Sequence, residues 1–443
     1  MTATLRELVQ RWDWVLTVAI APLLLFPSEG QVWSLLVLPV VLAIQWWAWG
    51  GALPVTPLNP AILLVAVMVG VSVVVTPDVG ESLGKIAGTL YGMAVYFTAA
   101  RHTRNPRGWR ESLALFAVAG VGLALLGLVG TRYDTTKIPG LSELIALLPV
   151  RLGGLPGAEE GIHPVEIAGS LLWIIPVSVM AGVALMREAG WFTSRRVNPS
   201  RRIGQISGWG VLLAVTLVLD VGVLVLTQSR GAYMAIALAG LALVILLLRG
   251  WGRWVVVGLT VLGAIAAVMV VGGLGWEETV NEAFVSAPVE GAAFSLKTMS
   301  MTVEIWSRAV WAIRDVPLTG LGMNIFRSAV NLLYPTFQVA AGVDMAHAHN
   351  ELLQAALDLG LPGLVGFLAL YMGAVGMLVT SMRAGGAKRL LALGMLGGLL
   401  AHFLFGMIDA VSVGAKPGFL FWWLLGMVFG LYDQSRGVRV RSA

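Results

Sequence analysis

Long apolar runs alternate with short polar segments along almost the whole chain. Most of these runs are long enough to cross a hydrocarbon core of roughly 30 Å as a helix. The pattern predicts an all-α polytopic membrane protein with about twelve transmembrane helices. We place them near residues 13–27, 32–49, 60–76, 83–100, 111–130, 165–186, 209–226, 232–248, 253–272, 361–381, 389–408 and 417–432.

The longest polar segment, residues 273–360, separates the ninth and tenth predicted spans. Its hydrophobic spacing predicts an amphipathic helix over Phe294–Arg314 and a short second helix over Asn324–Leu332. A third helix is expected to start with Asp344 or Asn350 as its N-cap and to end at Gly360. The chain therefore divides into spans one to nine (1–272), a helical loop (273–360), and spans ten to twelve with a tail (361–443).

Composition agrees with this class. The chain is 58% hydrophobic and only 12% charged, which excludes an ordinary soluble globular protein. Because it contains no cysteine, disulfides, thiolate metal sites and cysteine nucleophiles are excluded as well.

The basic residues set the expected orientation. Most of the 29 Lys and Arg residues fall in alternate connections and at the two ends of the chain, so we expect both termini in the cytoplasm. The first residues lack a cleavage-site pattern, which predicts a retained end and not a removed signal peptide. The long loop then faces the other side, and the net charge of +5 reflects topology and predicts no nucleic-acid partner.

Two of the five histidines, His347 and His349, lie in the polar segment before the tenth span. On a helix, side chains at i and i+2 diverge, and no cysteine or carboxylate pair at ligand spacing accompanies them, so the pattern favours no metal. A histidine acting as a base, or a merely structural polar patch, explains the segment equally well.

Two arginines near the outer ends of the spans are candidate anion ligands. Arg230 occupies a short polar turn after the seventh span, where an ordinary interfacial arginine is also expected. Arg308 can pair with Glu304 at i,i+4 or bind an anion through its planar guanidinium group. Other ionisable residues lie toward the same side, which suits a polar cavity shared with Arg230. They are Glu166, Asp220, His402, Asp409 and Lys416. For Asp409 and Lys416, punctuation of a short outer loop is the favoured interpretation.

Three motifs together resemble the O-antigen ligase and polymerase superfamily, over roughly residues 220–370. They are Thr227-Gln228-Ser229-Arg230-Gly231-Ala232, then Glu304-Ile305-Trp306-Ser307-Arg308 leading to Pro317-Leu318-Thr319-Gly320-Leu321-Gly322, and His347-Ala348-His349-Asn350-Glu351-Leu352-Leu353-Gln354 followed by Gly360-Leu361-Pro362-Gly363.

The resemblance implies a metal-independent inverting glycosyltransferase of a bacterial inner membrane, with no cofactor and with its active site facing the periplasm. The donor is then a glycan on undecaprenyl diphosphate, and in O-antigen ligases the acceptor is a sugar hydroxyl on lipid A-core. By the same resemblance His349 is the catalytic residue, and Arg230 and Arg308 bind the diphosphate. The supporting residues are His347, Asn350 and Gln228.

Two alternatives remain open at this stage. A polymerase, which joins carrier-linked repeat units, shares the same motifs with a ligase. A membrane transporter of the inorganic-carbon type is the alternative from another class, although the missing internal repeats count against it.

Overall fold

The structure is a computed structural model, and it describes residues 2–27, 31–50, 53–133, 141–148, 161–189, 199–248, 250–273, 296–337, 345–411 and 413–441. These residues form α-helices, two short 3-10 turns and one isolated bridge between Thr131 and Ile162. The helices are α1 (Thr2–Ala19), α2 (Ala21–Leu25), α3 (Val37–Trp49), α4 (Asn59–Val75), α5 (Val79–His102), α6 (Pro106–Gly130), α7 (Leu141–Ala146), α8 (Pro164–Glu188), α9 (Pro199–Leu226), α10 (Arg230–Leu247), α11 (Trp251–Gly273), α12 (Leu296–Asp315), α13 (Phe326–Leu333), α14 (Glu351–Met382), α15 (Gly386–Phe405) and α16 (Phe419–Arg441).

The all-α membrane class is confirmed. Among the described residues, 8 segments are long and apolar enough to cross a membrane by length and composition. The other four predicted spans also fall on helices, namely α4, α5, α11 and α16. The span count of twelve and the orientation of the termini stay predictions.

The core is built by close helix pairs. α8 packs against α15, and α5 packs against α16. In the first pair a Cβ on Gly398 would lie 2.7 Å from the Trp173 carbonyl oxygen, and in the second a Cβ on Gly426 would lie 2.5 Å from the Ala99 Cβ. Glycine at these two positions therefore lets the backbones approach, as is common between membrane helices.

The polar segment between α11 and α14 contains the two predicted helices, with small shifts at their ends. α12 ends at Asp315, shortly before Pro317, because proline cannot donate to the preceding turn. α13 begins at Phe326 and not at Asn324, because Asn324 has a left-handed φ of 68°. Asp344, one of the two proposed N-caps, lies outside the described residues.

The third predicted helix begins where expected and bends where its end was expected. Asn350 is the N-cap of α14, and helical geometry is interrupted at Gly360, whose φ is 67°. A Cβ at Gly360 would lie 2.5 Å from the Leu318 carbonyl oxygen, and the Leu361 amide donates to the Pro317 carbonyl at 2.7 Å. The turn after α12 is thus held against the first part of α14, close to the histidines.

Candidate active site

The histidine segment is a loop and not a helix, and this brings its two rings together. His349 adopts a left-handed φ of 49°, and its amide donates to Nδ1 of His347 at 3.2 Å. The ring centroids lie 4.5 Å apart at an angle of 68°. The divergence expected for i and i+2 positions therefore does not apply, because that argument assumed helical backbone.

Asp409 joins the two rings from the turn that follows α15. Its Oδ1 lies 3.6 Å from Nε2 of His347 and 3.6 Å from Nδ1 of His349, and it accepts the Ala410 amide at 2.9 Å. These distances are ion-pair distances, slightly longer than direct hydrogen bonds. The sequence favours loop punctuation for Asp409 and offers a polar cavity shared with Arg230 as the alternative, but it does not predict the contact with the two histidines.

Burial and charge fix the protonation of this cluster at neutral pH. Burial lowers the pKa of His347 to about 4, and the charges of Lys85 and His163 add to the effect while Asp409 opposes it. Burial alone would raise the pKa of Asp409, but contacts with His349 and His347 outweigh it and hold the pKa below its usual value. A neutral imidazole therefore lies beside a carboxylate.

The same contacts select the tautomers. Because Nδ1 of neutral His347 accepts an amide hydrogen, the ring proton must be on Nε2, which faces Asp409. The carboxylate also faces Nδ1 of His349 and favours a proton there, which leaves the lone pair on Nε2. Nε2 of His349 has no hydrogen-bond partner among the described residues, and the side chain is 41% exposed. The site thus presents a partly exposed imidazole with a carboxylate behind it.

Asn350 ties the two loops of this site together. Its Oδ1 accepts the amides of Leu352 and Leu353 at 3.0 and 3.1 Å, which caps α14. Its Nδ2 donates to the Met407 carbonyl at 3.1 Å, inside the turn that leads to Asp409. One side chain therefore fixes the histidine loop relative to the carboxylate.

Arg230 is brought to the same region by its neighbour. It begins α10, directly after the N-cap Ser229 and the left-handed residue Gln228, whose φ is 49°. A Cβ on Gly231 would lie 2.8 Å from Cδ1 of Ile408, so the start of α10 lies against the turn that carries Asp409. A helix N-terminus that carries an arginine is a suitable binding site for an anion.

Arg308 is buried and held by several groups at once. Its Nη2 lies 3.2 Å from Oε1 of Glu304, its Nε donates to the Pro335 carbonyl at 2.8 Å, and its guanidinium lies 4.4 Å from the Trp311 ring centroid. The i,i+4 pair considered from the sequence is therefore present. Two residues earlier in α12, Nε1 of Trp306 donates to the His349 carbonyl at 3.3 Å, which places α12 against the histidine loop.

His347, His349 and Asp409 also have residue types that bind metals. One ligand atom from each lies within 4.8 Å of the other two, so these three residues can close around an ion. In the tautomers described above, however, the nitrogens that face Asp409 carry the ring protons, so an ion would require His349 to change tautomer and His347 to give up the hydrogen bond from the His349 amide. The donor set therefore favours proton chemistry.

Comparison with known proteins supports the resemblance drawn from the motifs. A family model described as O-antigen ligase matches residues 215–368. The superfamily resemblance is confirmed. The O-antigen ligase match begins in α9 and ends in α14, so it includes Arg230, Arg308 and the histidine loop but not Asp409. Among curated proteins, none matches the chain.

Proposed function

We propose that this protein is a membrane-embedded, metal-independent inverting glycosyltransferase, an O-antigen ligase acting at the periplasmic face of a bacterial inner membrane. The donor is a glycan on undecaprenyl diphosphate, and the acceptor is a sugar hydroxyl on lipid A-core. The observation that carries the proposal is the partly exposed His349 ring, which lies on the segment that matches the O-antigen ligase family and is backed by Asp409 from outside that segment.

The proton step belongs to His349. Its Nε2 takes the proton of the acceptor hydroxyl while that oxygen attacks the anomeric carbon of the donor from the face opposite the diphosphate. The new glycosidic C–O bond forms as the bond to the diphosphate breaks, so the configuration inverts. Asp409 stabilises the imidazolium that results, and a positioned base of this kind contributes roughly 10²–10⁴-fold.

The leaving group belongs to the two arginines. Negative charge develops on undecaprenyl diphosphate as the bond breaks, and guanidinium groups stabilise such charge by bidentate hydrogen bonds. Arg230 lies at a helix N-terminus beside the Asp409 turn. Arg308 pairs with Glu304 in the structure, so a bound diphosphate would replace part of the contact between that carboxylate and the guanidinium group. His347 and Gln228 act as supporting residues, the first by orienting Asp409.

The surface-glycan profile of a strain lacking this protein tests the proposal, when it is measured together with the pool of carrier-linked glycan. Full-length polymer stranded on undecaprenyl diphosphate, with bare lipid A-core, is the expected result. Lipid A-core capped by a single repeat would instead support the polymerase alternative. An unchanged profile would contradict both and favour the transporter hypothesis.

A further inference from the structure

Ala348, the residue between the two site histidines, is hydrogen bonded through its backbone N–H to a buried glutamine. Ala348 is fully buried, and its N–H donates to Oε1 of Gln354 at 2.9 Å. Gln354 lies on the first turns of α14 and is only 1% exposed. A hydrogen bond in this position acts directly on the backbone that connects the two rings.

The side-chain nitrogen of Gln354 is also hydrogen bonded. Nε2 of Gln354 donates to Oδ1 of Asp358 at 2.8 Å. Asp358 is itself buried, accepts the Asn324 amide at 3.1 Å and pairs with Nζ of Lys85 at 3.3 Å. The histidine loop is thereby connected to the turn before α13 and to α5 through one side chain.

Only an amide side chain satisfies both neighbours. The Ala348 N–H needs an acceptor, whereas the Asp358 carboxylate needs a donor, and glutamine offers one of each. An apolar residue would leave a buried N–H without a partner, and a glutamate would place a second carboxylate against Asp358. The residue type is therefore dictated by this location.

The strained conformation of His349 explains why such a bond is needed. A left-handed φ of 49° in a residue other than glycine costs free energy and persists only where the surroundings enforce it. Gln354 restrains the preceding residue, and Asn350 caps the helix that follows. Together they hold the backbone of His349 from both sides.

We propose that Gln354 is a positioning residue that sets the orientation of His349 through the Ala348 amide, with Asp358 and Lys85 as its anchor. The inference rests on the proposed function only in so far as transfer is the activity that it supports. The bond network itself is independent of that function and can be tested without substrate.

The kinetic test uses Gln354→Glu, Asp358→Asn and the double variant. In Gln354→Glu the opposed carboxylates should displace the loop and lower kcat by about 10- to 100-fold with little change in KM, as small misplacements of a base do. The double variant restores a donor–acceptor pair between the two side chains at the expense of the Asn324 bond. It should therefore regain a substantial part of the lost kcat.

The matched control is Gln45→Glu, the same change at a buried glutamine that hydrogen bonds to Thr98 at 3.2 Å, in a different part of the molecule. It should keep the wild-type kcat per folded molecule. If Gln354→Glu fails to fold, a folded and active double variant still supports the proposal. Wild-type kcat in Gln354→Glu, or a folded double variant no better than the single one, would overturn it.

Hydrogen exchange separates this inference from the proposed function. In the purified wild-type protein the Ala348 amide should exchange slowly, and in Gln354→Leu that protection should be lost while the transmembrane helices stay protected. If the wild type transfers no glycan but this pattern holds, the proposed function fails and the loop restraint stands. If the protection is unchanged in Gln354→Leu, the positioning role is wrong even in an active transferase.

Discussion

Among the described residues, histidine pairs with three carboxylates, Asp13, Glu351 and Asp409, and the clusters around the first and the last differ in how exposed their histidines are. In the Asp13 cluster, Asp13 is fully buried and contacts Trp49, Arg101 and His102. In the Asp409 cluster, the carboxylate faces His347 and His349, and the His349 side chain is 41% exposed, against 24% for His102. His102 lies in the last turn of α5, while Lys85, which pairs with Asp358 and so anchors the histidine loop, lies near the start of α5, roughly 25 Å away along the helix.

The proposed function assigns a chemical role to the Asp409 cluster and a structural role to the Asp13 cluster, and the contacts of the two carboxylates differ accordingly. In the Asp13 cluster, Nε2 of His102 contacts the carboxylate, and Nε1 of Trp49 donates a hydrogen bond to the same carboxylate at 3.0 Å. The Asp13 carboxylate contacts three side chains there and ties α1, α3 and α5 together. In the Asp409 cluster, the carboxylate approaches the nitrogen of His349 that faces inward, and the outward nitrogen stays available for a proton.

The largest expected effect on the transfer rate comes from replacing His349. His349→Ala should lower kcat by roughly 10²–10⁴-fold, because it removes the proposed base. His102→Ala is the matched control, and it should lower stability while leaving the rate per folded molecule within a few-fold of wild type. Transfer between a purified lipid-linked glycan and lipid A-core measures both. Wild-type transfer by well-folded His349→Ala would show that the base is another residue.

A smaller effect on the transfer rate is expected from replacing Arg308, which, like Arg101, pairs with an acid and stacks on a tryptophan. Arg308 contacts Glu304 and Trp311, and Arg101 contacts Asp13 and Trp49. Arg308→Lys should lower kcat by about 10- to 100-fold, because lysine cannot donate the paired hydrogen bonds that stabilise a leaving diphosphate. Arg101→Lys should affect the thermal midpoint alone. Equal rates in the two variants would remove Arg308 from the reaction.

The Asp409 cluster should also make folding sensitive to acid. An unfolded histidine takes up a proton near pH 6.5, whereas the pKa of folded His347 is about 4. Between these values the unfolded chain binds more protons, so the free energy of unfolding falls as pH is lowered. Asp409 acts in the same direction at lower pH, because its pKa is below the usual value in the folded state.

His347→Gln should therefore flatten the decline in stability between about pH 6.5 and 4. Chemical unfolding at a series of pH values measures this slope. An unchanged slope in His347→Gln would mean that the protonation of His347 is not linked to folding.

The smallest expected effect is that of a chelator. If both ring nitrogens facing Asp409 carry protons, EDTA should change the transfer rate by less than about twofold, since no ion is needed to hold the cluster. A large loss of rate that added divalent ions restore would show that His347, His349 and Asp409 form a metal site.

The local pattern of the sequence was enough to predict the helices and some of their ends. Long apolar runs located the membrane helices, Pro317 predicted the end of α12, and Asn350 was correctly considered as an N-cap. Each of these features depends on residues close together in the chain. The capping role of Asn350 is visible from sequence because its acceptor serves amides only two and three residues away.

The candidate site depends on contacts that local patterns do not contain. Asp409 follows α14 and α15 in the chain, yet it contacts the histidines that precede α14. Lys85, on α5, contacts Asp358. The left-handed turn at His349, which makes the two rings converge, has no glycine to signal it. The partners of Gln354 are near it in the chain, but its contact with the Ala348 N–H depends on the folded shape of the histidine loop.

The central claim is that the carboxylate behind an accessible histidine serves the reaction, whereas the carboxylate in a closed cluster serves the fold. The most direct test measures both kcat and the thermal midpoint of Asp409→Asn and Asp13→Asn. The account predicts that Asp409→Asn loses roughly 10²-fold or more in kcat with a modest change in midpoint, because the base loses its orienting acid. Asp13→Asn should unfold at a lower temperature and keep its rate per folded molecule, because it breaks a buried charge pair. Loss of rate in Asp13→Asn together with wild-type rate in Asp409→Asn would contradict the account.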